Sequence, residues 1–231
     1  MPKGHATAVL DDPVGESLRG RHAHLARRTG RAATYLPEVA TFAAPPSGPG
    51  PADWADLARL LGRGAFADLF SCPATPPRDW EPVFVLDGRQ LIWTGARGPA
   101  QPDTGVVELG AADVPEMLAL TARTQPGPFW PRTRELGTYL GVREGGTLVA
   151  MAGERLRPPG WTEISAVCTA PEARGRGHAA RLVNTLVSRI RSRDERPFLH
   201  VAETNTGARA LYDRLGFEPR RTVTFRGFRT P

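Results

Sequence analysis

The chain has 231 residues, 40% hydrophobic and 23% charged, with a formal net charge of +6. That length suits one large domain or two small ones with a core that needs no staples, and two cysteines, Cys72 and Cys168, are too few for a disulfide scaffold, which points to a reducing compartment. Met1-Pro-Lys-Gly-His leads into no signal-peptide apolar run, and no stretch reaches the ~20 apolar residues of a membrane span, so a cytoplasmic protein without a membrane partner is expected.

The basic residues are arginines apart from Lys3. Arginine pairs bidentately with phosphates, so an anionic ligand fits. The charge is spread along the chain without a nucleic-acid-binding motif, and no nucleic acid is expected as partner.

Residues 1–100 are rich in Pro and Gly. Ala44 to Pro51 is a loop by its prolines and glycines. Asp53 caps a short helix with Trp54, Leu57, Leu60 and Leu61 on its apolar face. Val83 to Trp93 reads as a hairpin turning at Asp87-Gly88. Thr94 to Gly105 is a second breaker cluster and reads as a connector.

From residue 106 the pattern is more regular. Val106 to Leu109 is a short strand and Ala111 to Arg123 a helix with Val114, Met117, Leu118 and Leu120 facing inward. Strands follow at Tyr139 to Val142, Thr147 to Leu156 and Glu163 to Cys168. A Gly-rich turn then opens a long helix, Gly177 to Arg191, whose Leu182, Val183, Leu186, Val187 and Ile190 share one face. Phe198 to Ala202 is apolar enough for a central strand. Asn205 to Leu215 is a helix ended by Gly216, and Phe217 to Arg226 closes the chain as one or two strands.

The turn Thr169-Ala-Pro-Glu-Ala-Arg-Gly-Arg-Gly-His-Ala-Ala180 carries the most chemistry. Gly175 and Gly177 permit a tight bend and close ligand approach. The first amides of the following helix lack internal partners and face the turn at the positive end of the helix dipole, which suits a pyrophosphate. Arg174 and Arg176 add charge, and Ala179 and Ala180 leave room against the helix. A phosphate-binding P-loop would need Gly-Lys-Ser/Thr, which is absent. A dinucleotide fingerprint would place an acidic residue about 20 residues on, and Glu203 comes too late.

Arg174-x-x-Gly177-x-Ala179 after an apolar strand resembles the acyl-CoA motif R/Q-x-x-G-x-G/A of the GNAT superfamily. Asn205, Ala208, Leu211, Tyr212, Gly216 and Phe217 resemble that family's N-x-x-A-x-x-L-Y-x-x-x-G-F segment. Residues 106–231 are thus similar to a GNAT acyl-CoA-binding catalytic domain, closest to the FR47-like and glycine N-acyltransferase-like C-terminal domains. Residues 1–100 would be a degenerate GNAT-like lobe or a substrate cap.

The resemblance implies an α/β (α+β) fold: a mixed central sheet with splayed parallel strands flanked by helices, plus a smaller N-terminal α/β region. It implies an acetyl-CoA-dependent N-acetyltransferase acting by direct attack of an amine on the thioester, without a metal. The backbone of Ala166, Val167 and Cys168, with Thr169, would meet the thioester. Arg174, Gly175, Arg176, Gly177, His178 and Ala179 would hold the pyrophosphate, and Asn205, Ala208, Leu211 and Tyr212 the pantetheine arm. Tyr212 would protonate the departing thiolate.

The base that deprotonates the amine is open among Glu163, Glu203 and Glu154. A covalent route through Cys168 is conceivable but secondary to its reading as a small buried residue. His200 reads as a core histidine, and His22 and His24 lack companions for a metal. Acceptor contacts are expected around Gln125 to Arg134, including Phe129 and Trp130. Acceptors in view are a small-molecule amine and a protein N-terminus or lysine. The alternative to an enzyme is a non-catalytic acyl-CoA-binding regulatory module.

Overall fold

A computed structural model describes residues 5–95 and 105–231. Most of the connector expected at Thr94 to Gly105 lies outside the described residues. One eight-stranded sheet dominates, in the order β4-β11-β5-β10-β9-β8-β7-β6. Its strands are β4 (Phe66–Phe70), β5 (Glu81–Trp93), β6 (Val107–Glu108), β7 (Tyr139–Glu144), β8 (Thr147–Glu154), β9 (Trp161–Thr169), β10 (Arg196–Ala202) and β11 (Phe217–Arg229). A small antiparallel sheet of β1 (Ala26–Thr29), β2 (Ala32–Tyr35) and β3 (Ala43–Ala44) precedes them. A parallel bridge from Phe42 to Asp68 ties it to β4.

Among the described residues five α-helices flank the sheets: α1 (Pro13–Arg19), α2 (Pro51–Leu61), α3 (Val114–Thr124), α4 (His178–Arg191) and α5 (Thr206–Arg214). The main core forms where Leu182, Val183, Leu186, Val187 and Ile190 of α4 and Met117 and Leu120 of α3 pack on β7 to β10. α3 buries Thr121 rather than Leu118. Leu57 and Leu60 of α2 pack with Trp54, which meets Trp80 edge-to-face at 5.4 Å, over the opposite face of β4. Asp53 sits one turn further in than expected. Gly50 is the N-cap, and the Asp53 carboxylate accepts from the Gly50 amide at 2.8 Å and from Arg31 at 2.6 Å.

The expected hairpin at Asp87-Gly88 does not form. β5 runs unbroken from Glu81 to Trp93, paired with β11 throughout and with β10 from Gly88 to Ile92. Gly88 is required for close approach. A Cβ there would lie 2.5 Å from the Phe225 ring and 2.8 Å from the Val201 carbonyl. β5 therefore stands in the middle of the sheet, between β10 and β11, and strands from both sides of residue 100 form one layer.

The strands β9 and β10 are the sheet's one parallel pair, and they part early. Their register ends at Phe198 opposite Glu163, although β9 continues to Thr169 and β10 to Ala202. On its other edge β9 bulges. Gly153 faces Ser165 and Met151 faces Cys168, leaving Ala166 and Val167 without register partners. Ala166 takes φ +52°, a left-handed value uncommon for alanine. Bulge and splay together open a V in the sheet, bounded by the ends of β9 and β10 and the start of α5.

Candidate active site

The V opens into two cavities that share a wall. The first, of about 800 Å³, runs between the end of β9, the start of α4 and α5. Val167, Cys168, Thr169, Arg174, Gly175, Gly177, His178, Ala179, Asn205, Ala208, Leu211 and Tyr212 all line it. Gly175 (φ +77°) and Gly177 (φ +80°) make the turn, in a backbone region that strains other residues, and the space where their Cβ atoms would sit is empty. Gly177 is the N-cap of α4 and offers no side-chain cap, and the first helical bond is Arg181 N–H to the Gly177 carbonyl at 3.1 Å. The amides of His178, Ala179 and Ala180 therefore stay available to an anion, beside Arg174. That cradle fits the diphosphate of a coenzyme.

Arg176 departs from expectation. It turns away to Glu144 at 2.6 Å and to the Glu172 carbonyl at 3.0 Å and does not line the cleft. His178 Nε2 lies 3.0 Å from the other Glu144 oxygen, so Glu144 steadies the turn from outside.

Asn205 caps α5, its Oδ1 accepting from the Ala208 amide at 3.1 Å. That cap aims the first turn of α5 across the V. Tyr212 is buried, lies edge-on to Phe217, and its hydroxyl has no hydrogen-bond partner among the described residues. Burial pushes its pKa up to about 12. The phenol therefore keeps its proton at neutral pH and stands in the cleft as a hydrogen-bond donor. Burial likewise pushes the Cys168 thiol up, which works against a nucleophilic thiolate.

The second cavity, of about 360 Å³, lies on the other side of the bulge. Val167, Asn205, Ala208, Tyr212, Gln125 and Pro126 belong to both. Ala166 faces only the second, whose floor is aromatic: Phe42, Phe70, Phe84 and Phe225. Gln125 to Pro128 line it, whereas Phe129 packs edge-to-face on Tyr139 at 5.5 Å and Trp130 is exposed. Besides Gln125, Ser165, Asn205 and Tyr212 its polar groups are Asp68, Arg155 and His200, none of these three picked out as a site residue in the sequence, where His200 passed for core.

None of the three glutamates weighed as base lines either cavity. Glu163 is 0% exposed and sits behind Arg155 and His200. It accepts from Arg155 at 2.7 and 2.8 Å and faces His200 Nδ1 at 2.6 Å. Burial opposes its ionisation, but Arg155 and His200 overcome that and hold its pKa down to about 2. Burial lowers the pKa of His200, and its Nε2 faces the Gln90 amide nitrogen at 3.1 Å, which suits a neutral ring with its proton on Nδ1. Glu203 lies outside, 38% exposed at its side chain, clamped by Arg89 and Arg209 at 2.6–2.9 Å. Glu154 is buried against Arg193 at 2.7 Å. A carboxylate already committed to guanidinium partners is a poor proton acceptor at neutral pH. His22 is bonded on both ring nitrogens, to the Tyr35 hydroxyl at 2.9 Å and the Leu136 carbonyl at 3.0 Å.

Residues 139–226 match the family described as FR47-like protein. The chain is 36% identical over 130 residues to the N-alpha-acetyltransferase RimI of Mycobacterium tuberculosis, a match spanning 50% of this chain and 81% of that one. A crystal structure of a putative GNAT-family acetyltransferase from Novosphingobium aromaticivorans superposes with a TM-score of 0.87 at 40% identity, over 96% of this chain and 99% of the other. A GCN5-related N-acetyltransferase from Kribbella flavida shares the fold at 19% identity (TM-score 0.61), covering 96% of each chain. The likeness to the Novosphingobium protein runs through both the N-terminal strands and the motif-bearing half. The splayed pair, the open α4 amides and Tyr212 thus stand in a chain that belongs to the GNAT family and is an N-acetyltransferase.

Proposed function

We propose that acetyl-CoA occupies the larger cavity and that the acceptor amine enters through the smaller, aromatic one, so that the two meet at the bulge. The observation that carries this reading is the unpaired backbone at Ala166 and Val167, which lies on the wall between two cavities that share Tyr212. The α4 amides, Arg174 and the Gly175–Gly177 turn would take the diphosphate, and Asn205, Ala208 and Leu211 the pantetheine arm. Bound acetyl-CoA supplies an activated acyl carbon and a thiol leaving group.

The chain's part is to orient and to move protons. The Ala166 and Val167 amides, which have no register partners at the bulge, would donate to a developing oxyanion. Tyr212 is placed to hand its proton to the departing sulfur and to recover one from the new amide nitrogen. Residues 5–95 act as the floor and wall of the acceptor side rather than as an independent lobe. Two free thiols favour a reducing, cytoplasmic location.

Thermal unfolding with added acetyl-CoA, coenzyme A or NAD tests the reading. A ligand at 100 times its Kd stabilises the fold by about 2.7 kcal/mol. Both coenzyme A species are expected to raise Tm and NAD to leave it unchanged. Ala179→Glu keeps a residue that a helix N-terminus accepts but puts a carboxylate where the diphosphate belongs, and should abolish the rise without lowering the unliganded Tm. A Tm unmoved by any acyl-CoA in folded protein would refute the assignment.

A further inference from the structure

The smaller cavity holds a carboxylate that no step above uses. Asp68 lies on β4, between Phe66 and Phe70 on the face turned to the V, and is only 5% exposed. Its Oδ2 accepts from the Thr41 hydroxyl at 3.0 Å, its one hydrogen bond among the described residues.

The charged groups facing it are few. Arg155 lies between Phe42 and Phe70, 5.1 and 4.4 Å from their centroids, with its guanidinium fork filled by Glu163. His200 on β10 packs edge-on to Phe70 at 4.8 Å and is held neutral by burial. β11 presents Phe225 and Gly227 there, β5 presents Phe84 and Leu86, and the segment before β3 presents Thr41. Arg155 and Glu163 cancel, so Asp68 leaves the pocket with a net negative charge inside a chain of net charge +6. The electrostatics favour a cation, and the aromatic floor offers ring faces to it and apolar area to whatever carries it.

We propose that Asp68 is a catalytic residue that receives the acceptor's ammonium proton, and that the acceptor is a primary amine on an apolar, preferably aromatic, body with no carboxylate beside the amine. The proposal rests on the placement of donor and acceptor cavities above. One ammonium proton passes to the Asp68 carboxylate. The freed amine nitrogen then forms a C–N bond to the thioester carbon as the C–S bond breaks. A second proton leaves nitrogen by way of Tyr212 to the thiolate, and Asp68 later returns its proton to solvent. Burial raises Asp68 to about 6 against the opposing pull of Thr41 and Arg155, so it is ionised at neutral pH yet basic enough to accept a proton. A carboxylate next to the amine would meet Asp68 and find Arg155 already taken.

The test is steady-state kinetics by thiol release with 2-phenylethylamine, glycine and glutamate as acceptors, on wild type, Asp68→Asn and Thr41→Val, with the acetyl-CoA thermal shift measured in parallel. Phenylethylamine is expected to be preferred. Asp68→Asn should lower kcat/KM by about 10²- to 10⁴-fold, keep its acetyl-CoA shift and unfold at no lower urea concentration than wild type. Wild-type kcat/KM should fall as pH drops through about 6. That limb should vanish in Asp68→Asn and move to higher pH in Thr41→Val, which removes a donor to the ionised form. A purely structural Asp68 would move stability and leave the limb. An Asp68→Asn enzyme with wild-type rate and limb, an unmoved limb in Thr41→Val, or preference for glutamate would overturn the proposal. If acetyl-CoA fails to stabilise wild type, the underlying assignment falls and takes the proposal with it.

Discussion

Replacing Glu163 by Gln separates a structural carboxylate from a catalytic one. The change leaves the Arg155 guanidinium, 11% exposed and lodged between Phe42 and Phe70, without its counter-ion. Breaking a buried ion pair by removing one partner costs about 3–5 kcal/mol. A second route gives a similar size. A carboxyl held at about 2 instead of its ordinary 4.5 favours the folded, ionised state by roughly 3 kcal/mol. The sign follows from the lowered pKa: this contribution is complete above pH 4.5 and is lost as pH falls toward 2. Urea unfolding at pH 7 should therefore show Glu163→Gln and Arg155→Met each destabilised by about 3–5 kcal/mol. The double variant should lose less than the sum, because it leaves neither charge orphaned. If Glu163→Gln stays within about 1 kcal/mol of wild type but abolishes acetyl transfer, the assignment of Glu163 to the framework is wrong and it belongs to the chemistry.

Three further expectations follow from other parts of the molecule. Tyr212→Phe retains the ring contact with Phe217 and removes only an unpartnered hydroxyl, so kcat should fall by about 10²-fold or more while the acetyl-CoA thermal shift persists; an unchanged kcat would remove Tyr212 from the proton path. Gly88→Ala drives a methyl into Phe225 and the Val201 carbonyl and should cost about 1–3 kcal/mol by urea unfolding, whereas a turn glycine of the expected hairpin would show no such clash. Between pH 6.5 and 4 two buried groups oppose each other: burial lowers His22 from 6.5 to about 4, so the unfolded chain takes the proton first and acid destabilises, while Asp68, raised from 3.8 to about 6, gains stability as acid neutralises it. Wild-type stability should change little over that window, Asp68→Asn should become acid-labile by about 2 kcal/mol and His22→Gln acid-stabilised by a similar amount, read as urea midpoints at pH 7 and 4.5.

The donor side was legible in the sequence because it is local. Arg174 to Ala179 and Asn205 to Tyr212 are short runs in which the residues that make the turn and the helix start also line the larger cavity. Their spacing survives translation into structure with one loss, Arg176, drawn off by Glu144 on another strand. The bases were misplaced for the converse reason. Glu163 and Glu203 are near the thioester strand in sequence, but their surroundings are set by Arg155, His200, Arg89 and Arg209, which only the fold brings near. Asp87-Gly88 carried the dipeptide of a tight turn, yet Gly88 answers to a ring 137 positions later. One signal was available and unread: Phe66-Ala-Asp-Leu-Phe70 alternates with period two and sets a lone acid between two aromatics on one face.

The acceptor side is assembled from segments that no short motif unites. Phe42 arrives with the small sheet, Asp68 and Phe70 with β4, Phe84 with β5, Arg155 with the end of β8, His200 with β10 and Phe225 with β11. The donor side hangs on one crossover, β9 to α4, and on α5. The two halves meet at the Ala166 bulge and at Tyr212. On the proposed assignment, substitutions on the aromatic floor would alter which amine is desolvated and how it is held, without touching the amides of α4 or the cap at Asn205. Acceptor choice would then be free to change while acyl-donor binding stays fixed, through floor residues in strands that the acyl-CoA motifs do not reach.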